Sequence, residues 1–285
     1  MTHPTDRPNA DQAAFWNGPT AHDWVRNWVR MDRVLRPLGA ALVAAAGVQE
    51  GERVIDVGCG HGTTTLALAD QVGTGGHVLG IDISSVILQV AIERLEPGVP
   101  VRFEAADVTT FPLDAGAWDL VVSRFGVMFF ADPVATFRHL ARALGADGRL
   151  CFVCWQPLLD NPWMQVGIEA ALAHLDAPAP RPDPYAPGAF SLSDPDRVRR
   201  VLAGAGFVGI EVEALTPRID VGQTVHEAVD FMVEMGPVGG MLAGADPGLA
   251  ARVRGSLEDA YTAWCTDHGV QAPAAAWLVT ARTES

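Results

Sequence analysis

The chain's residue types come closest to chemistry in Arg53-Val54-Ile55-Asp56-Val57-Gly58-Cys59-Gly60-His61-Gly62. Val54 to Val57 is a short β-branched apolar run, the pattern of a strand buried on both faces. A carboxylate, Asp56, interrupts it near its end, and three glycines follow at alternate positions. Thr63-Thr64-Thr65 then opens Leu66-Ala67-Leu68-Ala69 as a helix. A strand, a glycine turn and a helix bring bare backbone and helix N–H groups up to a ligand. A carboxylate at a buried strand end is costly unless it meets a partner, so the motif points to a ligand with polar or cationic groups. A second acid, Asp82, closes the run His77 to Asp82, 24 residues after Gly58. An acid so placed can accept two hydrogen bonds from a ribose diol, where the bland reading is a helix N-cap or an exposed strand end.

These side chains need a scaffold, and the pattern supplies one. Val101 to Asp107 reads as a third strand, again ending in an acid, and Trp118 to Ser123 as a fourth. Asp132-Pro133 starts a helix through Ala143, with proline suited to the first turn. Arg149 to Trp155 is the fifth strand. Such alternation specifies a parallel, doubly wound α/β sheet with right-handed crossovers. Ligands in these sheets sit at the carboxyl ends of the strands, where Asp56, Asp82, Asp107 and Ser123 all fall.

Outside this core the signals are looser. Phe15 to Ala46 reads as helical, its start broken by Asn17-Gly18-Pro19, with a tryptophan-bearing apolar stripe; Trp24 and Trp28 are either packing or a face turned to the ligand. Met1 to Asp11 reads as a frayed polar lead-in without a signal-peptide core. Prolines 157, 162, 178, 180, 182, 184 and 187 punctuate a loop-rich insertion, with one helical piece from Trp163 to Leu175. Asp194 to Ala205 returns to helix and Gly206 to Val212 to strand. Val225 to Glu234 and Leu249 to Asp267 read as helices of a lid or a homodimer contact, and Ala274 to Arg282 as a final strand. The organisation is residues 1–46 as an N-terminal helical cap and 47–155 as the ligand-binding core. Residues 156–193 form the lid insertion, and 194–285 complete the core, with a helical insertion at about 220–270.

Composition narrows the function. Apolar residues make up 49% and charged residues 19% of 285, an ordinary globular balance. No apolar run reaches the roughly 18 residues of a membrane span, and the reading is a cytoplasmic protein. A formal charge of −14 argues against a nucleic-acid partner and suits a neutral or cationic small molecule. All 20 basic residues are arginine. That excludes Schiff-base lysine chemistry, a P-loop lysine and the Tyr/Lys pair of certain dehydrogenases. Cys151 and Cys154 form a CxxC, but three apart on a strand they face opposite ways, which suits two buried thiols and no metal.

Taken together, Val54 to Gly62, Gly80-Ile81-Asp82, Ala106-Asp107-Val108 and Trp118 to Ser123 running on through Phe129-Phe130-Ala131-Asp132-Pro133 resemble the class I S-adenosylmethionine-dependent methyltransferases. The nearest group is the one that includes the ubiquinone/menaquinone C-methyltransferases, and the resemblance covers about residues 30 to 155. It implies a sheet of order 3-2-1-4-5-7-6, strand 7 antiparallel, with helical lid insertions. It implies S-adenosyl-L-methionine as cofactor and S-adenosyl-L-homocysteine as product. Asp56 and the loop residues Gly58, Cys59, Gly60 and Gly62 would hold the methionine part, and Asp82 both ribose hydroxyls. Asp107 would accept from the adenine amino group, with Val108 beside it and Ile83 against the ring. Ser123 would face the methionine moiety or the transfer centre.

The acceptor expected is a small, partly apolar metabolite, methylated on O, N or C. Arg124, Phe125, Met128, Trp155 and Trp163 are its expected contacts, Arg124 being either a carboxylate ligand or half of a structural ion pair. No catalytic base is assigned. Many relatives carry a histidine soon after the fourth strand, where this chain has Met128; His22, Tyr185, His226 and Tyr261 are the remaining candidates. The competing readings are a nicotinamide-dependent oxidoreductase and a non-catalytic S-adenosylmethionine-binding protein.

Overall fold

The computed structural model describes residues 9–174, 183–242 and 244–284. Three helices lead: α1 (Ala10–Trp16), α2 (Pro19–Arg26) and α3 (Trp28–Ala46). The helical stretch from Phe15 is thus broken at Gly18-Pro19, as expected, and a second time at Asn27. Gly18 in extended geometry and Pro19 at the first turn start α2 afresh, and Asn27 leaves helical geometry before α3. The expected lead-in is also corrected in part: residues 1–8 lie outside the described residues, but Asn9 is buried at the start of α1 rather than frayed.

The alternating core follows as β1 (Arg53–Val57), α4 (Thr63–Val72), β2 (His77–Asp82), α5 (Ser85–Glu93), β3 (Val101–Ala105), β4 (Trp118–Arg124), α6 (Pro133–Ala143) and β5 (Leu144–Trp155). After it come α7 (Pro162–His174), α8 (Pro195–Ala205) and β6 (Phe207–Leu215). An insertion then holds β7 (Arg218–Gly222), α9 (Val225–Glu234), α10 (Gly236–Leu242), α11 (Pro247–Thr262), β8 (Cys265–Thr266) and β9 (Gly269–Pro273), before the closing strand β10 (Ala276–Thr283).

Among the described residues the main sheet has seven strands in the order β3-β2-β1-β4-β5-β10-β6. β10, its seventh strand along the chain, runs antiparallel to both neighbours. This is the expected 3-2-1-4-5-7-6 arrangement. Val54, Ile55, Leu120, Val121, Val122, Phe152 and Val153 fill its middle without exposure, as β-branched runs covered on both faces should. Cys151 and Cys154 are buried on opposite faces, the first thiol against the Leu42 carbonyl and the second against that of Leu192. Burial pushes the Cys151 thiol up to about 12 and that of Cys154 higher still.

The outer parts differ from expectation in detail. β3 ends at Ala105, so Asp107 lies in the loop beyond it. The last stretch of the helix expected through Asp267 is instead strand, and β7, β9 and β8 make a second small sheet. Alternation too short to register caused the miss. Pro178, Pro180 and Pro182 of the expected lid lie outside the described residues. No helix among the described residues is long and apolar enough to cross a membrane.

Two anchors hold the outer helices over the sheet's carboxyl edge. Arg33 of α3 donates to Glu227 of α9 at 2.6 Å and lies 3.6 Å from Asp220 of β7. Asn161, fully buried ahead of α7, donates to the Ala275 carbonyl and accepts from the Ala275 N–H, both at 2.9 Å. An Asn161→Leu variant leaves the Ala275 N–H unpaired in the interior, its carbonyl keeping the Gln156 N–H at 3.1 Å. Its unfolding free energy should fall by about 1–3 kcal/mol, read by urea denaturation, and an unchanged midpoint would show that water replaces the carboxamide.

Candidate functional site

A cavity of about 260 Å³ opens at the carboxyl edge of the sheet, where β1, β2, β3 and β4 end. One end is polar, bounded by Gly58, Gly60, Asp82, Ile83, Asp107 and Val108. The other is apolar, and all five expected acceptor contacts, Arg124, Phe125, Met128, Trp155 and Trp163, line it. Met164 and Ile168 of α7, with Phe231, Met232 and Met235 at and after α9, close that end from above. Helices α1 and α2 form a strap along the side, contributing Gln12, Trp16 and Trp24. Trp24 therefore faces the cavity, whereas Trp28 lies under the Arg94 guanidinium at 4.7 Å.

The polar end is shaped by backbone. Gly58 has φ +67, and a Cβ there would meet the Gly126 Cα at 2.7 Å. Ser123 fastens the same contact: its hydroxyl donates to the Val57 carbonyl at 2.8 Å and accepts from the Gly126 N–H at 3.1 Å. Asp82 accepts from the Gly60 N–H through one oxygen and the Ser84 N–H through the other, both at 2.8 Å. Burial nevertheless raises its carboxyl above the ordinary range, the two N–H groups opposing.

Four of the sequence-assigned residues lie off the cavity. Ser123 is fully buried with its hydroxyl spent as described, so it braces the site instead of facing it. The Cys59 side chain packs against Leu88, Ala91 and Phe103, and its N–H is taken by the Ile81 carbonyl. Gly62 is tight because of packing, a Cβ there coming within 2.8 Å of Ala91. Asp56 points into the interior, accepting from Thr65 at 2.6 Å through one oxygen while the other has no partner. For Asp56, Cys59 and Ser123 the side chain turns inward, a direction that spacing alone does not reveal.

Beyond β4 the backbone is strained. Phe125 has φ +67, unusual for a bulky residue. The strain sets its ring 4.2 Å from Trp155, nearly parallel at 18°, and Trp155 in turn meets Trp163 at 5.7 Å. Arg124 carries the ion pair anticipated as its structural role, with Asp32 of α3 at 3.0 Å, its side chain 11% exposed. Asp32 also accepts from Thr63, and Arg94 donates to Thr63 at 2.9 Å and to the His61 carbonyl at 2.6 Å. Asp32 and Arg94, which tie Arg124 to this loop, lie outside every motif of the sequence.

His61 was also missed, hidden inside the glycine loop. It is 2% exposed, near-parallel to Trp24 at 6.1 Å, and its Nε2 has no partner. None of the proposed bases lines the cavity. His22 is exposed, as is Tyr185, under Arg197. His226 pairs with Asp230 in solvent. Tyr261 is buried, donating to the Trp163 carbonyl at 3.0 Å, and burial pushes its hydroxyl upward.

The model of a methyltransferase domain matches residues 54–148. Aklanonic acid methyltransferase of a Streptomyces species is 30% identical over 185 residues, covering 60% of this chain and 81% of that protein. The chain belongs to the class I S-adenosylmethionine-dependent methyltransferases. The demethylmenaquinone methyltransferase of Staphylococcus carnosus is 27% identical over 213 residues, 71% of this chain and 86% of that one. Phosphoethanolamine N-methyltransferase 2 of Haemonchus contortus, solved with S-adenosyl-L-methionine, shares the fold: TM-score 0.59 at 16% identity, over 95% of this chain and 59% of that one. Against uncharacterized mycobacterial relatives the match, 34% identical, spans 44% of their length and 44% of this chain. S-adenosyl-L-methionine is the cofactor of this methyltransferase.

Two buried groups beside the site titrate in opposite senses. Burial pushes Asp56 from 3.8 up to about 6, Thr65 and Arg124 opposing. Between those values the folded state keeps a proton that the unfolded state has lost, so this contribution to stability falls as pH rises. Burial pushes His61 from 6.5 down to about 4, with Asp32 opposing. There the unfolded state takes the proton first, and stability falls as pH drops below about 6.5. An Asp56→Asn variant should therefore gain on the wild type between pH 4 and 7, by up to about 3 kcal/mol, and His61→Gln should lose by a similar amount. Denaturation across that range checks both, and parallel curves for wild type and variants would refute the assignment.

Proposed function

We propose that this methyltransferase transfers a methyl group to a small, largely apolar acceptor that brings its own acidic or nucleophilic atom. One observation carries the reading: a polar arc with Asp82 and Asp107 and an aromatic end with Phe125, Trp155 and Trp163 share one cavity. The cofactor would lie along the arc. Asp82 would accept from the ribose hydroxyls, Asp107 from the adenine amino group, Ile83 and Val108 would flank the ring, and Gly58 and Gly60 would admit the methionine part. An open Cβ position at Gly60, with nothing nearer than 3.9 Å, suits such an approach. Asp56 would act from behind the loop through its unpartnered oxygen.

When bound, the cofactor supplies a methyl group on a good leaving group. The chain then has to position the acceptor and keep water out. Phe125, Met128, Trp155 and Trp163 would hold its apolar body. Among the described residues lining the cavity, the titratable ones are Asp82, Asp107 and Arg124. Arg124 would neutralise negative charge on an acceptor's acidic oxygen, its own geometry fixed by Asp32. Relatives named for aklanonic acid and demethylmenaquinone support an organic acceptor of this size class. The acidic balance of −14 and the four free cysteines support a reducing, cytoplasmic setting without a nucleic-acid partner.

Isothermal titration gives the direct test. S-adenosyl-L-homocysteine should bind, and Asp82→Ala should weaken it by about 1–3 kcal/mol; unchanged affinity in a folded variant removes the ribose assignment. Binding of NAD(P)H without the cofactor product would instead favour an oxidoreductase. Labelled cofactor offered with a panel of phenolic, enolic and carboxylic acceptors should label at least one class. Arg124→Gln should lower that turnover at least tenfold with product binding retained, and retained turnover would remove Arg124 from the acceptor site.

A further inference from the structure

The strap brings two carboxamides to the end of the cavity that holds Asp107. Asn9 donates through Nδ2 to Asp107 Oδ1 at 3.1 Å, and its own Oδ1 accepts from the Ala131 N–H at 3.0 Å. The second bond fixes which way the carboxamide faces, since only the oxygen can accept from Ala131. Asp107 Oδ1 also accepts from the Thr109 N–H at 3.0 Å. Both donors thus fall on one oxygen, which sets the rotation of the carboxylate and leaves Oδ2 without a donor among the described residues. Asn9 is 6% exposed and lines the cavity, so this is an interior contact.

Gln12 lies three residues further, on the same face of α1. Its side chain also lines the cavity, and its Oε1 is buried with no partner. A buried acceptor left unpaired costs free energy, and such an atom in a native interior calls for a donor from elsewhere. The cavity wall therefore presents two acceptors, Asp107 Oδ2 from the loop after β3 and Gln12 Oε1 from α1. An exocyclic amino group carries two N–H donors, whereas a ring carbonyl in its place offers only lone pairs.

We infer that the N-terminal strap takes part in reading the base of the cofactor: Asn9 is a positioning residue that orients Asp107, and Gln12 accepts a second hydrogen bond from the adenine amino group. This rests on the placement of adenine at Asp107 proposed above. It makes closure of the strap a condition of recognition, because one acceptor sits on the strap and the other is aimed by it.

The test compares S-adenosyl-L-homocysteine with S-inosyl-L-homocysteine, in which a carbonyl replaces the amino group. Titration calorimetry on the full chain gives both affinities for wild type, Asn9→Leu, Gln12→Leu and Asp107→Asn. Wild type should prefer the adenine form by about 100-fold, and each leucine variant should cut that preference about tenfold, through weaker binding of the adenine form. Asn9→Ser and Gln12→Ser replace any leucine variant that fails to fold by circular dichroism. Preference kept within twofold in both strap variants but lost in Asp107→Asn overturns the role of the strap and leaves the adenine placement standing. Equal weakening of both ligands reduces the strap to a structural prop and also overturns the inference. Preference unchanged in Asp107→Asn removes the placement itself.

Discussion

The site depends on a contact between two turns that have no room for side chains. Gly58 after β1 and Gly126 after β4 meet at Cα distance, and the Ser123 hydroxyl holds both turns by bridging the Val57 carbonyl and the Gly126 N–H. Everything that lines the cavity is placed relative to this junction. On one side it fixes the glycine loop, and through the Gly60 N–H the orientation of Asp82. On the other it forces Phe125 into a left-handed conformation and lays its ring on Trp155. The polar and apolar ends of the cavity are therefore set by one pair of strand ends, and a shift of either turn would move both.

Around that junction the chain carries charge into its interior and offsets it locally. Asp56 is fully buried and Asp82 half-buried at the cavity wall, and removal from water raises both carboxyls. Backbone N–H groups, the Thr65 hydroxyl and the Arg124 guanidinium compensate part of the desolvation cost. Asp32 and Arg94 extend this set to α3 and α5 and so lock the strap-bearing helix against the glycine loop. Removing one partner would strand a charge in a medium that solvates it poorly. Such a network lends a preformed shape to a site whose chemistry asks mainly for positioning.

Much of this was legible in the sequence. Strong β-branched runs and glycine turns gave the core strands, their parallel order and the acids at their ends, because local pattern and global fold agree there. The apolar end was legible too, since Phe125, Met128, Trp155 and Trp163 follow strand ends already placed. Direction was not. Asp56, Cys59 and Ser123 stand at strand ends or just past them but turn inward, and period-two reasoning fails where a strand gives way to a tight turn. Residues from distant segments were silent: Asn9 sits in a polar lead-in, Asp32 in an unremarkable helix, and His61 between glycines that drew attention to themselves. The small sheet of β7, β9 and β8 escaped because its strands are two to five residues long.

The insertion that closes the apolar end leaves the main sheet after β6 and returns at β10, where Leu215 and Ala276 are direct partners. Its two ends are thus only about 5 Å apart, the spacing of paired strands. A segment grafted across such a gap closes a ring already held shut by the ladder, so its length and content are nearly free of the rest of the fold. Phe231, Met232 and Met235, the part of the cavity wall that this insertion supplies, are in this sense a replaceable cassette, while Phe125, Trp155 and the glycine loop are set by the sheet itself. That part of the wall can be exchanged as one contiguous segment while the strand ends around it stay as they are.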